Sequence, residues 1–196
     1  MEEIPSTRDQ IVQGARTVFA EKGFRASMRD IAKASGISTT SLIFWYFKDK
    51  EALFLAVVEE SSPLAQVQHL LSQHPGTVNS LAIIRELVAV YFKVYSNPLN
   101  RQILFQMLSH SAWHARVQAL LKDQLSDVMA DRMVRVIVQG QSEHLFRTDL
   151  APDFAAQIVL GILFAMITRW HVDGTVPWSE TVVVDNILAL LRPSPR

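Results

Sequence analysis

Apolar residues recur along most of the chain at intervals of three and four positions, the period of an amphipathic α-helix. The first such stretch runs from Thr7 to Lys22 and stops at Gly23. Later stretches cover Val78 to Tyr95, Leu99 to about His110, Ala115 to Gly140, Phe154 to Val172 and Pro177 to Leu191. We find no stretch with the period-two alternation that marks a half-buried strand. The pattern therefore predicts an all-α protein.

The segment after the first stretch predicts two short helices around a tight turn. Ser27 and Asp30 have the S-x-x-D spacing of a capping box, in which each side chain accepts a hydrogen bond from the other residue's backbone N–H. Gly36 supplies left-handed backbone that ends a helix without a Cβ clash. Ser38 or Thr39 is then expected to cap a second helix of roughly two turns. Such a pair is a helix-turn-helix, whose second helix can enter a DNA major groove.

The second helix of this pair displays more apolar surface than it can bury. Six bulky residues follow one another from Leu42 to Phe47, and a short helix can bury only one side. Short hydroxyls suit base edges and phosphates, exposed aromatic rings can pack on the sugar–phosphate wall or a thymine methyl, and lysines suit phosphates. The candidate DNA contacts are Arg29, Thr39, Thr40, Ser41, Trp45, Tyr46, Lys48 and Lys50.

Three motifs in this region share their spacing with one known family. The pattern T-R-x-x-I-x-x-x-A-x-x-x-F-x-x-x-G-[FY] is matched by Thr7, Arg8, Ile11, Ala15, Phe19, Gly23 and Phe24. The pattern R-D-I-A-x-x-x-G-[VI]-S is matched by Arg29, Asp30, Ile31, Ala32, Gly36, Ile37 and Ser38. The pattern F-K-x-K-E-x-L is matched by Phe47, Lys48, Lys50, Glu51 and Leu53. In these motifs the chain resembles TetR-like (tetracycline-repressor-type) transcriptional regulators.

One departure from the family pattern affects the DNA-facing residues. The chain carries one residue more than usual between Gly36 and Phe47. An alignment from Gly36 makes the DNA-facing residues begin at Thr39 and Thr40. An alignment from Phe47 places them instead at Ser41, Phe44, Trp45 and Tyr46.

The resemblance implies an architecture of about nine helices in two domains. Residues 1–52 would form a three-helix helix-turn-helix DNA-binding domain, and residues 53–196 a larger helical domain for effector binding and dimerisation. It also implies that the last two long helices form a homodimer interface, and Gly161 with Ala165 would permit close helix approach. The candidate interface residues are Phe154, Ile158, Gly161, Ala165, Ile187, Leu188 and Leu191. The alternative is that the Phe154 helix is the core of the monomer.

Large residues on the middle helices, several of them with a polar tip, predict a largely apolar effector pocket. The resemblance implies such a pocket as well, since these regulators generally bind an inducer there. The candidates are Tyr91, Tyr95, Phe105, Trp113, His114, Arg169 and Trp170. Arg169 lies in a nearly all-apolar helix, so its burial would require an acidic partner or an anionic ligand. The alternative is that these residues are ordinary core.

Composition excludes several other classes of protein. Of the 196 residues 49% are hydrophobic and 19% charged, which excludes a disordered chain, and there is no cysteine for a disulfide, thiol nucleophile or thiolate-bound metal. His110 and His114 have the spacing of two zinc ligands, but Ser111 stands where a catalytic glutamate would be. No enzyme, metal or cofactor is therefore predicted. The amino terminus does not resemble a signal peptide, and the longest apolar run is about half a membrane span, so the protein is expected in the cytoplasm and not in a membrane.

Charge is unevenly distributed along a chain whose formal net charge is zero. The segment from Ile4 to Lys50 carries eight basic and four acidic side chains, which gives it a net charge of +4. A locally basic, globally neutral protein can bind DNA through a few placed contacts. We therefore predict a homodimeric DNA-binding regulator, a repressor released from a near-palindromic operator by a largely apolar small molecule. A helical lipid- or partner-binding protein with a purely structural helix-turn-helix stays open as the alternative.

Overall fold

The computed structural model describes residues 6–63, 79–112, 114–123, 129–176 and 178–193, and every regular element within them is helical. The α-helices are α1 (Thr7–Lys22), α2 (Met28–Ala34), α3 (Thr40–Tyr46), α4 (Lys50–Ser61), α5 (Ser80–Tyr95), α6 (Pro98–Ser111), α7 (Ala115–Lys122), α8 (Asp131–Ser142), α9 (Pro152–Asp173) and α10 (Glu180–Leu191), and a 3-10 turn, Gly23–Arg25, follows α1. The all-α prediction is confirmed. The expected count of about nine helices is one below the ten that these residues contain, because the predicted Ala115–Gly140 helix is represented by α7 and α8.

The helices group into two compact units. The first unit comprises α1 to α4, α6 and most of α7, and the second comprises α5 and α8 to α10. Packing thus joins α4 and α6 to the helix-turn-helix, although both lie wholly or largely beyond residue 52. The predicted division between residues 52 and 53 concerns function rather than packing, and it stays a prediction.

The first unit is built around α1, which packs against α2, α4 and α6. Its apolar stripe places Ile11 and Phe19 in the core with no exposed surface. The rings of Phe19 and Phe54 meet edge to face with centroids 5.1 Å apart, and Phe24 lies 5.3 Å from Phe54. Aromatic pairs of this geometry add stability beyond the apolar area that they bury. This cluster holds α1 and the 3-10 turn that precedes α2 against α4.

In the second unit α8 packs against α5 and α9, and α5 also packs against α10. Leu163 of α9, Ile137 of α8 and Ile84 of α5 are fully buried in its core. The carboxylate of Glu143 accepts hydrogen bonds from the backbone N–H and the hydroxyl of Ser80, at 3.1 and 2.8 Å, at the first residue of α5. A negative charge there stabilises the helix by satisfying a free N–H and opposing the positive end of the dipole.

Helix α9 is the longest helix in the described part of the chain, and it carries several exposed apolar side chains. It has 22 residues, a mean hydropathy of 1.5 over its most apolar stretch, and 33% of that stretch buried. By length and composition alone it could cross a membrane, a test that core helices of soluble proteins also pass. Part of the apolar surface of α9 is thus exposed in the subunit.

Candidate nucleic-acid interface

The helix-turn-helix begins with the predicted capping box at α2. The Ser27 hydroxyl accepts a hydrogen bond from the Asp30 N–H at 3.1 Å, and the Asp30 carboxylate accepts one from the Ser27 N–H at the same distance. The bonds that Ser27 donates, followed by Lys22, lower the pKa of Asp30 to about 2. At the other end Gly36 has φ 67°, and the Ile37 N–H donates to the Ala32 carbonyl at 3.0 Å. Both ends of α2 are therefore as predicted from the sequence.

The position of α3 decides between the two possible alignments of this segment. Its N-cap is Thr39, and its buried residue is Ile43, with no exposed surface, while the following Phe47 is 6% exposed. These two inward side chains leave Ser41, Phe44 and Trp45 on the outer side. The exposed face is therefore the one given by the alignment from Phe47.

The outer face of α3 combines exposed apolar groups with cations nearby. Leu42 is 37% exposed, Phe44 50% and Trp45 77%. The Trp45 ring meets the half-buried Tyr46 ring edge to face at 4.6 Å. An open concavity of about 500 Å³ lies beside α3. It is lined by Arg29, Ala32, Lys33, Ile37, Ser38, Thr39 and Thr40.

Three of the DNA-contact candidates, Arg29, Thr39 and Thr40, line this concavity together. Arg29 and Lys48 are exposed and Thr40 is partly exposed. Lys33 lines the same concavity as Arg29 and was missing from the sequence-based candidates, although its place on the outer face of α2 could have identified it. Cations and hydroxyls around an exposed helix can bind the phosphates that flank a DNA groove.

Residues 11–57, from α1 through the helix-turn-helix into α4, match the family model described as bacterial regulatory proteins, tetR family. Residues 11–57 thus form a DNA-binding domain of the TetR family. The chain is accordingly a DNA-binding transcriptional regulator of the helix-turn-helix type.

Similar proteins extend this result beyond the first quarter of the chain. The HTH-type transcriptional regulator AcrR of Shigella flexneri is 25% identical over 175 residues, which are 86% of this chain and 80% of the relative. The fatty acid degradation regulator FadR from Bacillus halodurans has a TM-score of 0.77 at 21% identity and covers 96% of both chains. FadR from Bacillus subtilis, solved in complex with stearoyl-CoA, has a TM-score of 0.74 at 16% identity and covers 92% of this chain and 95% of its own. The two structures show that the TetR-family fold holds along the chain.

Lys50 has a structural role in the TetR-family protein that the sequence did not reveal. Its ammonium donates to the carbonyl of Phe24 at 2.6 Å and to that of Ala26 at 3.2 Å, and lies 5.0 Å from the centre of the Phe24 ring. It therefore fastens the start of α4 to the 3-10 turn. The N-cap of α4 is Asp49, whose carboxylate accepts from the Ala52 N–H at 2.7 Å. We leave Lys50 out of the proposed DNA contacts for this reason.

The predicted effector residues are divided between the two units. Phe105 and His114 belong to the first unit, whereas Tyr91, Tyr95, Arg169 and Trp170 belong to the second. Trp113 lies outside the described residues. The prediction of a shared pocket by these seven residues stays a prediction.

Arg169 differs from what the sequence suggested, whereas Tyr91 and Tyr95 are buried as core residues would be. Arg169 is not buried: 63% of its side chain is exposed, and it pairs with Asp173 one turn later at 3.0 Å. Tyr91 and Tyr95 are 8% and 5% exposed, with ring centres 5.7 Å apart, and burial raises the pKa of Tyr91 to about 12. Arg169 thus has its acidic partner within its own helix, at the surface.

The predicted dimer residues separate into an exposed and a buried set. Phe154 is 59% exposed, and Gly161 and Ala165 on the same helix are also exposed. Ile158 is partly exposed. In contrast, the α10 residues predicted to face a partner are at most 2% exposed, because they pack inside the second unit, and this corrects the prediction for Ile187, Leu188 and Leu191.

His110 connects α6 to the 3-10 turn ahead of α2. Its Nε2 accepts a hydrogen bond from the Phe24 N–H at 3.0 Å, and its ring lies 5.1 Å from the Phe24 ring. Burial, with the nearby His114 and Lys50, lowers the pKa of His110. The neutral ring is thus the form that the fold needs, and this nitrogen is already occupied by a backbone donor.

The contribution of His110 to stability should be lost at low pH. Because the pKa of His110 is lower in the folded chain, the unfolded chain binds a proton more readily. The stabilisation by neutral His110 is therefore complete above about pH 6.5, the usual pKa of histidine. It decreases as the pH falls below that value. In His110→Gln an amide oxygen can accept the same bond without titrating. Between about pH 7.5 and pH 5 the wild type should lose about 1 kcal/mol more than this variant in urea unfolding. Equal losses in the two proteins would contradict this role.

Proposed function

We propose that the protein is a cytoplasmic homodimeric repressor that leaves a near-palindromic operator when a small, largely apolar effector binds. The observation that carries this proposal is the exposed α3 face with cations beside it, within a helix-turn-helix of the TetR family. The two α3 helices of one dimer would enter successive major grooves on the same side of the DNA. The two-fold symmetry of the operator would then match that of the protein.

The dimer is proposed from the surface that α9 and α10 leave uncovered. Phe154, Phe164 and Val172 on α9 are 59%, 43% and 74% exposed. On α10, Val182 is 43% and Leu190 50% exposed. Two helices from each subunit would close these faces into a four-helix bundle, an arrangement common in symmetric dimers. Gly, Gln, Thr and Arg residues interrupt the outer side of α9, which favours a protein partner over a lipid bilayer as the cover.

The effector is proposed from the composition of the second unit and from relatives. That unit is rich in apolar and aromatic side chains, and a structural neighbour was solved with stearoyl-CoA. Repressors are among the relatives, including BepR of Brucella suis. An effector that binds the DNA-free conformation of the protein more tightly than the DNA-bound conformation would lower operator affinity. The size of this decrease is set by the ratio of the effector's two affinities.

The function can be tested by selecting binding sites for the purified protein from random or genomic DNA at two salt concentrations. Enrichment of an inverted repeat at both concentrations is expected, and the distance between half-sites would give the separation of the two α3 helices. Binding without enrichment, lost steeply with salt, would reduce the proposal to a nonspecific basic surface. Absence of binding from protein freed of bound ligand by unfolding and refolding would favour the lipid- or partner-binding alternative.

Lys48 is expected to contact a phosphate and not a base. It is exposed immediately after α3, so Lys48→Ala should weaken all DNA sequences about equally and lower the salt slope of log K by about one for each subunit. The exposed Lys93 of α5 provides the matched control, because Lys93→Ala removes one charge elsewhere. Filter binding or fluorescence anisotropy across a salt series measures the slope. A slope equal to that of the Lys93 control would remove Lys48 from the interface.

A further inference from the structure

The recognition segment has no side chain able to form a paired hydrogen bond with a base edge. From Ile37 to Phe47 the sequence contains no arginine, lysine, asparagine, glutamine, aspartate, glutamate or histidine. These are the residue types that distinguish guanine, adenine and cytosine in the major groove through their donors and acceptors. The polar groups that α3 offers instead are hydroxyls and the indole N–H of Trp45, and hydroxyls fit donors and acceptors alike.

The outer face of α3 is mainly apolar. At about 100° per residue, Ser41 and Trp45 lie on the side of α3 away from Ile43, the residue that anchors the helix in the core, and Phe44 lies between these two sides. Phe44 and Trp45 are 50% and 77% exposed, so these large rings form most of the surface that a groove would meet. The Trp45 ring meets the Tyr46 ring edge to face, with ring centroids 4.6 Å apart.

The cations lie beside this face and not on it. Arg29 and Lys33 line the concavity on the α2 side, and Lys48 follows the C-terminal end of α3. The first helix of a helix-turn-helix crosses the DNA backbone while the second lies in the groove. The charged groups are therefore placed for phosphates, and base selection is left to the apolar groups.

We propose that α3 recognises its half-site through the 5-methyl groups of thymine, with Phe44 and Trp45 as the main contacts. This inference rests on the proposed function, because it requires α3 to lie in a major groove. The C5-methyl is the apolar feature that an unmodified base pair presents there, and it marks the position of each thymine. Specificity then lies at A·T pairs, and a 5-methylcytosine at a contacted position partly replaces thymine because it presents the same methyl group.

The test replaces thymines of the selected operator one at a time with deoxyuridine, which removes the methyl group and keeps every hydrogen-bonding group. Each contacted methyl should be worth about fourfold in Kd, the value of one apolar carbon removed from water. Replacing guanines with 7-deazaguanine, which removes the N7 acceptor, should leave Kd unchanged. A contacted T·A pair changed to C·G should lose affinity, and 5-methylcytosine at the same place should recover part of it.

Variants of the protein identify the side chains that contact the methyl groups. Phe44→Ala and Trp45→Ala should weaken operator binding, and at the thymine that each ring contacts the penalty for deoxyuridine should disappear. Val138→Ala is the matched control, because Val138 is 49% exposed on α8, outside the proposed interface. It should retain both the affinity and the deoxyuridine penalty. Unfolding midpoints and circular dichroism establish that the two α3 variants keep their fold, and Trp45→Phe, which retains an aromatic face, should keep most of the affinity.

Three outcomes would overturn the proposal. A fully deoxyuridine-substituted operator bound as tightly as the parent would show that no methyl is read. Loss of affinity with 7-deazaguanine would place recognition at guanine. A deoxyuridine penalty that persists unchanged in both Phe44→Ala and Trp45→Ala would place methyl contacts elsewhere on the protein. Failure of the proposed function is distinguishable from all three, because the selection would then enrich no operator in which to place the analogues.

Discussion

Replacing Gly14 with alanine should lower the free energy of unfolding of the first unit by about 2 kcal/mol, which is about 4–8 °C in the unfolding midpoint of a chain of this size. Gly14 lies in α1, where α2 makes its closest approach. A Cβ at this position would lie 2.6 Å from the backbone nitrogen and 2.7 Å from the Cα of Ser35. Backbone atoms cannot rotate away, so the end of α2 would have to move off α1.

Two opposing effects determine the size of this loss. Alanine in place of glycine inside a helix gains about 1 kcal/mol, whereas overpacking of a close contact costs about 3 kcal/mol or more, so the steric effect is larger. Gln13→Ala changes the adjacent, exposed position and should leave stability nearly unchanged. Both variants are compared at one protein concentration, since association adds to apparent stability. A Gly14→Ala protein as stable as wild type would mean that α1 and α2 are further apart than described here.

A charge placed on the exposed face of α9 should separate the dimer. Ala165 is exposed in the subunit, so Ala165→Glu should leave subunit folding unchanged. In the proposed four-helix bundle the carboxylate would be buried without a partner, at a cost of about 3–5 kcal/mol. The protein should then be monomeric at micromolar concentration by light scattering. Its operator affinity should fall by about a hundredfold or more. A monomer binds one half-site only, whereas in a dimer the binding of the first subunit holds the second close to the other half-site.

The control for this substitution places the same charge on a different exposed apolar position. Val138→Glu alters α8, outside the proposed interface, and should stay dimeric with full operator affinity. Should Ala165→Glu remain dimeric, the face of α9 would not be the interface. A monomeric wild type would remove the dimer from the proposed function altogether.

The sequence was most informative where structure depends on neighbouring residues. The capping box of Ser27 and Asp30 and the left-handed Gly36 could be predicted because their hydrogen bonds join residues a few positions apart. The first helix was predicted with its observed bounds for the same reason. The family motifs extended this to the helix-turn-helix as a whole.

The sequence was less informative where a side chain meets a distant part of the chain. The sequence predicts a phosphate contact for Lys50, because nothing local shows that its ammonium reaches the carbonyls of Phe24 and Ala26. Ile187 and its neighbours are apolar at helical spacing, a pattern that is the same for a core face and a dimer face. The register of α3 also needed the structure, because the burial of Ile43 and Phe47 depends on packing against other helices.

The division of the chain between the two units has a consequence for protein synthesis. The core of the first unit is completed by α6, and the Phe24–His110 hydrogen bond joins residues 86 positions apart. A ribosome makes about 5–20 residues each second, so α1 to α4 wait several seconds for the helix that completes their packing. In that interval α5 has already been made. A nascent chain therefore cannot complete the first unit, which contains the helix-turn-helix, before a helix of the second unit has left the ribosome.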